Sequence, residues 1–546
     1  MPARRHVRPA AAVALLLLLA ACAGEPVGDL EGGGEEVEAT GDEVTGDEAG
    51  DDTGGAAGGE LVLALAEDPD ALDPSFARTY VGRMVFANMC EKLYDVNADL
   101  EVVPQLAAEL PEFSDEATTV TIPIREGITF NDGTPLDAEA VKTSLDRHRE
   151  IEGSGRASEL APVTAVEVVD PMTIEITLAE PFAPLTATLA DRAGIVMSPT
   201  KLEELGENFS EDPVCVGPFQ FVERVSGNRI VLEKADEYYD ADAVNLDRIT
   251  FSIITEGPVR VANLRSGDVD MAERLPTTNL AEIESDPNLQ LFEATSIGYQ
   301  GITVNVGNVA GVDQPFELRD SPLADPLVRE AFELSLDRNV INEVVYNGRY
   351  VPGCSPISPV SPFAQEDLSC PERDVERAAQ LLEEAGVATP VPVELTVTND
   401  TEAVRLGEIV QSLAAEAGFD VSVAPTEFAS SLDEATAGNF ELYQVGWSGR
   451  IDPDGNTHAF HHTTGTLNYS GSSDAAIDEL LERGRAVTDD AERREIYAQL
   501  VDAVRERRNI IYLYHENLFT GAKQEVSGFE VYGDGLPRLK SVSLGG

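Results

Sequence analysis

Trp447 is the only tryptophan in the chain, and it stands at the exit of an apolar strand, Leu442 to Val445, followed by Ser448 and Gly449. An aromatic residue leaving a strand into small polar residues is either packed core or a contact surface. Three positions on, Arg450 carries a guanidinium, a planar fork that holds a carboxylate or phosphate bidentately and cannot hold an ammonium. Arg450 has a second outlet in the same loop, because Asp452 and Asp454 follow it closely. Both pairings stay open at this point. His458, His461 and His462 offer imidazoles of the kind that bind nickel-like ions, but the sequence places them in a polar loop, and no metal or cofactor is expected. No GxSxG elbow, HExxH helix or phosphate-cradling glycine loop is present, so no catalytic residue is assigned and the chain is not expected to be an enzyme. Acidic residues are too numerous for any pair to mark a glycosidase dyad.

Compartment follows from the first residues. Arg4, Arg5 and Arg8 precede an apolar run from Ala10 to Ala21, a pattern expected of a signal peptide over 1–21 and too short to span a bilayer. Residues 22–59 hold twelve acidic residues, twelve glycines and no Lys or Arg, a composition expected to form a disordered tether with a reach of roughly 35 Å. The formal charge is −61. Removing the three leader arginines and the twelve acids of the tether leaves −52 on the remaining body, which argues against nucleic acid as a partner and against anionic lipid headgroups. Six Lys against thirty-two Arg fits either adaptation to high salt or an acidic secreted proteome. Beyond Cys22, four cysteines remain. Cys354 and Cys370 bracket a Pro- and Ser-rich loop whose closure would contribute roughly 3 kcal/mol, so that pairing is favoured, leaving Cys90 with Cys215; a metal site is the rival, unsupported by any CxxC spacing.

The elements that must position these residues read as mixed α/β. Leu61–Leu65 is a strand. Val120, Ile122 and Ile124 alternate, and with Ile128 and Phe130 they suggest a hairpin. Asp137 is placed to cap a helix carrying Val141 and Leu145. Further hairpins are expected at 166–178 and 219–232. After residue 325 helices dominate. A strand at 393–397, a helix at 403–417 and a strand at 419–423 make an α/β unit, and two helices follow, the second with Asp490 and Arg494 at i,i+4. A C-terminal strand, 510–513, then leads back toward the first lobe.

Five separated blocks then resemble, in order, the extracellular solute-binding proteins of ABC importers in the dipeptide, oligopeptide and nickel-binding family (family 5). They are Pro104–Leu110; Ile124–Gly133 with Asp137–Val141; Val216–Phe219; Asp325–Phe332 with Asp337-Arg338; and Gly446-Trp447 through Tyr497. Leu19-Ala20-Ala21-Cys22 likewise resembles the lipobox of bacterial lipoproteins, in which the cysteine is lipidated. The resemblance implies a two-lobed, periplasmic-binding-protein-like clamp of class II, cluster C type. Domain I would comprise 60–95, 212–295 and 516–546; domain II 96–211; and domain III 296–515, with hinges near Thr295-Ser296 and Tyr514-His515. It implies a lipid-anchored monomer on the outer face of the cytoplasmic membrane. Such a protein would capture a peptide or other small polar solute, an anionic one included, and pass it to permease and ATPase subunits. In such proteins the loop at Trp447, Ser448, Gly449, Arg450 and Asp452 lines the cleft and the aromatic stacks on the ligand. Tyr299, Tyr80 (in the loop after the first strand) and Arg405 are further candidates. Arg450 departs from the peptide-binding pattern, which places an aspartate there for the peptide amine. Nickel-chelate capture, ligand presentation to a sensor and a surface hydrolase are the alternatives.

Overall fold

The computed structural model describes residues 58–545 except Asp115; the leader, Cys22 and nearly all of the tether lie outside them. Three large sheets organise the described chain. The first runs, edge to edge, Leu289–Thr295, Asn517–Lys523, Met271–Ala272, Glu60–Leu65, Arg248–Ile253, Arg229–Lys234 and Phe219–Val225. The second is antiparallel, in the order Glu112–Phe113, Thr119–Pro123, Thr173–Leu178, Val163–Asp170. The third runs Val351–Pro352, Ile510–His515, Tyr299–Val304, Leu442–Trp447, Val391–Thr398, Phe419–Thr426.

Burial divides the molecule in two. The first and second sheets share one apolar core that includes Leu61, Phe251, Ile122 and Ile176, whereas the third sheet has its own, around Ile302, Phe332, Leu395 and Leu442. The result is a mixed α/β clamp of two lobes. The Val391–Thr398 and Phe419–Thr426 strands are parallel, which requires a crossover. The helix Thr401–Ala415 supplies it, started by Asp400, whose carboxylate accepts from Ala403 N at 2.9 Å. Asp137 caps Ala138–Glu150 in the same way, as its position in the sequence suggests.

The expected hairpins at 166–178 and 219–232 are present. The one at 120–130 is not: Thr119–Pro123 pairs instead with Thr173–Leu178 and Glu112–Phe113, because its alternating face has a longer partner strand to bury against than the short stretch after Gly127. Tyr80 opens the helix Tyr80–Met89, capped by Thr79, where a loop was expected. Arg494 donates to Pro362 O at 3.0 Å rather than pairing with Asp490. Disulfides join Cys354 to Cys370 and Cys90 to Cys215, with Cα separations of 5.5 and 5.0 Å.

Two chain segments cross between the lobes side by side. Thr295 pairs with Asn517 at the end of the first sheet, and Ser296 N donates to Glu516 O at 2.8 Å. His515 Nδ1 lies 2.7 Å from Gly298 O. Close to this crossing, Glu402 sits in the first turn of its helix with Oε1 buried and unpartnered. Burial, then Glu516 and Asp400, push its carboxyl up to about 7, against the opposing pull of Arg274 and Arg405. The folded protein therefore holds a proton that the unfolded chain releases near pH 4.5, and the stability this proton confers is lost as pH rises to about 7. Glu402→Gln should remove that slope. Measured by denaturant unfolding, the variant should gain about 2–3 kcal/mol over the wild type at pH 8 and little at pH 4.

Candidate functional site

The loop after Leu442–Trp447 is fixed by backbone contact before any side chain acts. Tyr299 lies opposite Trp447 in the antiparallel pair. A Cβ on Gly298 would fall 2.2 Å from Trp447 O, and one on Gly449, at φ +84°, would fall 2.5 Å from Ile297 C. Only glycines allow the two chains to touch there. Asn456, buried on the helix Asp454–His461, then clamps the loop. Its Oδ1 accepts from Trp447 Nε1 at 3.1 Å and Arg450 N at 2.7 Å, while Nδ2 donates to Arg450 O at 2.9 Å.

The two aspartates are taken by other arginines. Asp452 holds Arg493 through two bonds of 2.8 Å, and Asp454 holds Arg485 at 2.7 and 3.0 Å. Arg450 therefore does not brace its own loop through either of them. Its guanidinium lies 4.4 Å from the Trp447 ring centre, a cation–π contact, and its Nε is 3.5 Å from Asp191 of the opposite lobe. Arg485 also bridges the lobes, accepting from Ala183 N at 2.8 Å and lying over the Phe182 ring.

Between these walls lies a cavity of about 500 Å³ lined by Arg83, Glu159, Asp191, Trp447, Arg450 and His458 among others. Its wall carries three guanidiniums, Arg83, Arg450 and Arg485, and six carboxylates, of which Asp452, Asp454 and Asp534 are held by Arg493, Arg485 and Arg538. Arg83 Nε donates to Asp191 at 3.0 Å, Arg192 and Arg156 stand behind and both donate to Ala77 O, and Arg156 pairs with Glu159 at 2.6 Å. Four guanidiniums thus face two carboxylates. Burial alone would raise the Asp191 carboxyl, but Arg83, Arg192, Arg450 and Arg156 outweigh it and hold it well below the usual carboxylate range. Burial, with the neighbouring Arg83, brings Arg450 down to about 10, and burial with Arg156 brings Arg192 to about 9. All remain charged at neutral pH. Arg83 Nη1, Arg156 Nε and Arg192 Nε are buried without a hydrogen-bond acceptor. Asp191 Oδ2 is likewise buried without a donor, so three guanidinium nitrogens and one carboxylate oxygen of this cluster are left open.

Trp447, Arg450 and Asp452 of the predicted set line this cavity. Ser448 is exposed, 3.5 Å from Arg450 Nη1, and Gly449 contributes its carbonyl to that nitrogen at 2.8 Å. Tyr299 is buried behind the indole against Phe460 and Tyr512. Tyr80 donates to Asp534 O at 2.8 Å, one layer behind the wall. Arg405 is exposed on its helix and is not among the cavity-lining residues. His458 and His461 lie on the helix Asp454–His461 and His462 is its C-cap, where a polar loop was expected for all three. His461 turns inward to Tyr512 Oη at 2.7 Å, and burial brings it to about 3; His458 and His462 are half-buried and face Glu482. Sequence reading missed Arg83, Arg156, Asp191, Arg192 and Asn456. The only signal, a buried charge inside otherwise apolar stretches such as Val81–Met89, is hard to separate from a solvated face in so Arg-rich a chain.

Residues 101–468 match the profile of the bacterial extracellular solute-binding proteins, family 5 (middle). The chain is similar to the glutathione-binding protein GsiB of Escherichia coli strain K12, 26% identical over 490 residues covering 87% of this chain and 92% of that relative. It is similar to the structure of AgaA from A. tumefacien R10 in complex with agropinic acid, with a TM-score of 0.75 and 26% identity over 89% of this chain and 99% of that one. DppA from Helicobacter pylori, in complex with the peptide STSA, shares the fold at a TM-score of 0.79 and 21% identity, over 90% and 99% of the two chains.

The Asn456 clamp makes a direct prediction. Asn456→Ala leaves the indole N–H and the Arg450 backbone unpaired, and should cost about 1–3 kcal/mol of stability. The emission of the single tryptophan should shift to longer wavelength as the loop admits water, measured on the same samples.

Proposed function

The chain belongs to the bacterial extracellular solute-binding proteins of family 5, and on that premise we propose that it captures a small carboxylate-bearing solute for an ABC importer. The observation that carries this reading is the meeting of two guanidiniums across the cleft: Arg83 from one lobe and Arg450 from the other converge on a single carboxylate, Asp191, and Arg83 Nη1 is buried without an acceptor. A buried guanidinium nitrogen without an acceptor is costly unless an anion completes it. A solute carboxylate reaching Arg83 and Arg450 supplies that anion and draws the lobes together about the paired crossing segments, a population shift toward closure. The cavity of about 500 Å³ suits a solute of small-peptide size. Glutathione, bound by one relative, and agropinic acid, bound by another, both carry carboxylates. An arginine at position 450, where peptide-binding relatives are expected to present an aspartate to the peptide amine, favours acids over ordinary peptides.

The three-domain division given above remains part of this reading, as do the monomeric state and delivery to permease and ATPase subunits. So does a lipid on Cys22, holding the protein at the outer face of the cytoplasmic membrane. Trp447 and Arg450 act as one unit, the indole supporting the guanidinium from behind.

A titration panel followed by Trp447 fluorescence tests the solute. Glutathione and opine-type acids should bind and be recovered unchanged, whereas the corresponding amides should not bind. Arg450→Ala and Arg83→Ala should each weaken binding by about 2–5 kcal/mol, with Arg450→Lys restoring only part. Equal affinity for acid and amide would overturn the anion reading. Cys22→Ala should release the protein from membrane fractions; unchanged partition into detergent would sink the anchor.

A further inference from the structure

His458 and His462 are four residues apart, on the last turn and the C-cap of the helix Asp454–His461. Asp478 and Glu482 have the same spacing on the facing helix, Ala475–Ala486. The two imidazole rings stack with centres 4.6 Å apart and planes 9° from parallel. Both aim Nε2 at one oxygen: His458 Nε2 is 3.1 Å and His462 Nε2 is 3.3 Å from Glu482 Oε1. The ligand atoms of the three residues all lie within 4.8 Å of one another. We propose that His458, His462 and Glu482 form a site for one divalent transition ion of the zinc class, at the rim of the solute cavity.

The geometry fits that chemistry. Bonds of about 2.0–2.1 Å to nitrogen and oxygen in a tetrahedral shell place neighbouring ligand atoms about 3.3 Å apart, close to the two observed nitrogen–oxygen separations. With the ring planes almost parallel the two Nε2 lone pairs do not converge, so one ring must turn out of the stack to bring both nitrogens into the same shell. Two imidazoles and a carboxylate suit zinc or nickel rather than magnesium or calcium, which prefer all-oxygen shells. Water completes the coordination, since Glu482 is 47% exposed while the rings are only 14% and 16% exposed. Asp478 Oδ1 stands 3.9 Å from His462 Nε2; it accepts from Thr463 N at 2.8 Å, and Asp478 Oδ2 accepts from Thr463 Oγ1 at 2.6 Å. It therefore balances charge from beside the shell, and with Glu482 it matches the two positive charges of the ion. The nearest cation, Arg485, is already neutralised by Asp454.

Each imidazole must present an unprotonated Nε2 to ligate: a neutral ring moves its one proton to Nδ1 with no net release, and only a ring protonated on both nitrogens gives a proton to solvent. The proton of the metal-bound His462 ring would then sit on Nδ1, which in the ion-free structure accepts from Thr464 N at 3.1 Å; that bond must give way to one in which Nδ1–H donates to Thr464 Oγ1, 2.9 Å away. His458 lines the solute cavity, and its helix carries Asn456, so the ion would pin this helix to its neighbour beside the solute.

The test uses untagged protein, stripped of metal and titrated with zinc chloride by calorimetry at physiological salt without any solute. One zinc per chain is expected. His458→Ala, His462→Ala and Glu482→Gln should each weaken binding by about tenfold or more, a millimolar excess of Mg²⁺ should not compete, and zinc should raise the melting temperature of the wild type but not of His462→Ala. Glu482→Gln alters an exposed side chain, so it reports even where a histidine variant folds poorly. Zinc affinity unchanged in Glu482→Gln and in the folded histidine variants, or weak binding at many sites that Mg²⁺ displaces, would overturn the site. The anion pocket uses different residues, so acid titration of His462→Ala reads that proposal separately.

Discussion

Asp191 is the constraint around which the cleft is built. Its carboxylate is buried, begins the turn Arg192–Gly194 by accepting from Arg192 N, and receives Arg83 from the first lobe's leading helix and Arg450 from the other lobe. A carboxylate in that position is stable only because several guanidiniums surround it, and those guanidiniums can be buried together only because it is there. Neither partner could be removed without stranding the other. Much of the surrounding architecture serves this arrangement. The Tyr80–Met89 helix delivers Arg83, the close Gly298–Gly449 approach delivers Arg450, and Arg493 and Arg485 occupy the loop aspartates that would otherwise take Arg450 out of the cleft.

Around Asp191 the local sign of charge therefore opposes the global one. A chain of formal charge −61 repels anions at long range, yet salt screens that field over about 10 Å, whereas interactions inside a half-closed cavity are screened far less. An anionic solute must cross an acidic exterior before it meets the arginines, so high ionic strength should help its approach more than it harms its retention.

How much of this was legible in the sequence depended on whether the signal was local. Asp137 acts as a cap through its own neighbours, and the Cys354–Cys370 pair closes a short loop, so residue type and spacing were enough. Trp447 is locally odd, a tryptophan leaving a strand into Ser448 and Gly449, but only the resemblance to the family put that loop at a cleft. The partner of Arg450 could not be placed, because Asp191 is far away in sequence and nothing near either residue marks the other. The 120–130 segment failed for a related reason: alternation reports a strand but not which strand lies beside it. The histidines were misplaced because a helix begun by Pro453 and rich in Gly, Asn, Thr and His has weak propensity, and packing against the Ala475–Ala486 helix decides it.

The paired crossing between the lobes has a mechanical consequence. Thr295 to Gly298 and Tyr514 to Asn517 are not two independent strings; backbone bonds and the His515 ring tie them into a short ribbon. A two-stranded ribbon resists stretching and sliding, since either would break bonds in register, but it yields readily to torsion. The lobes are thereby left with essentially one soft coordinate, a twist about the ribbon axis. A solute touching both sides would then do work on a single degree of freedom instead of having to align two free bodies, and little binding energy would be spent on orientation.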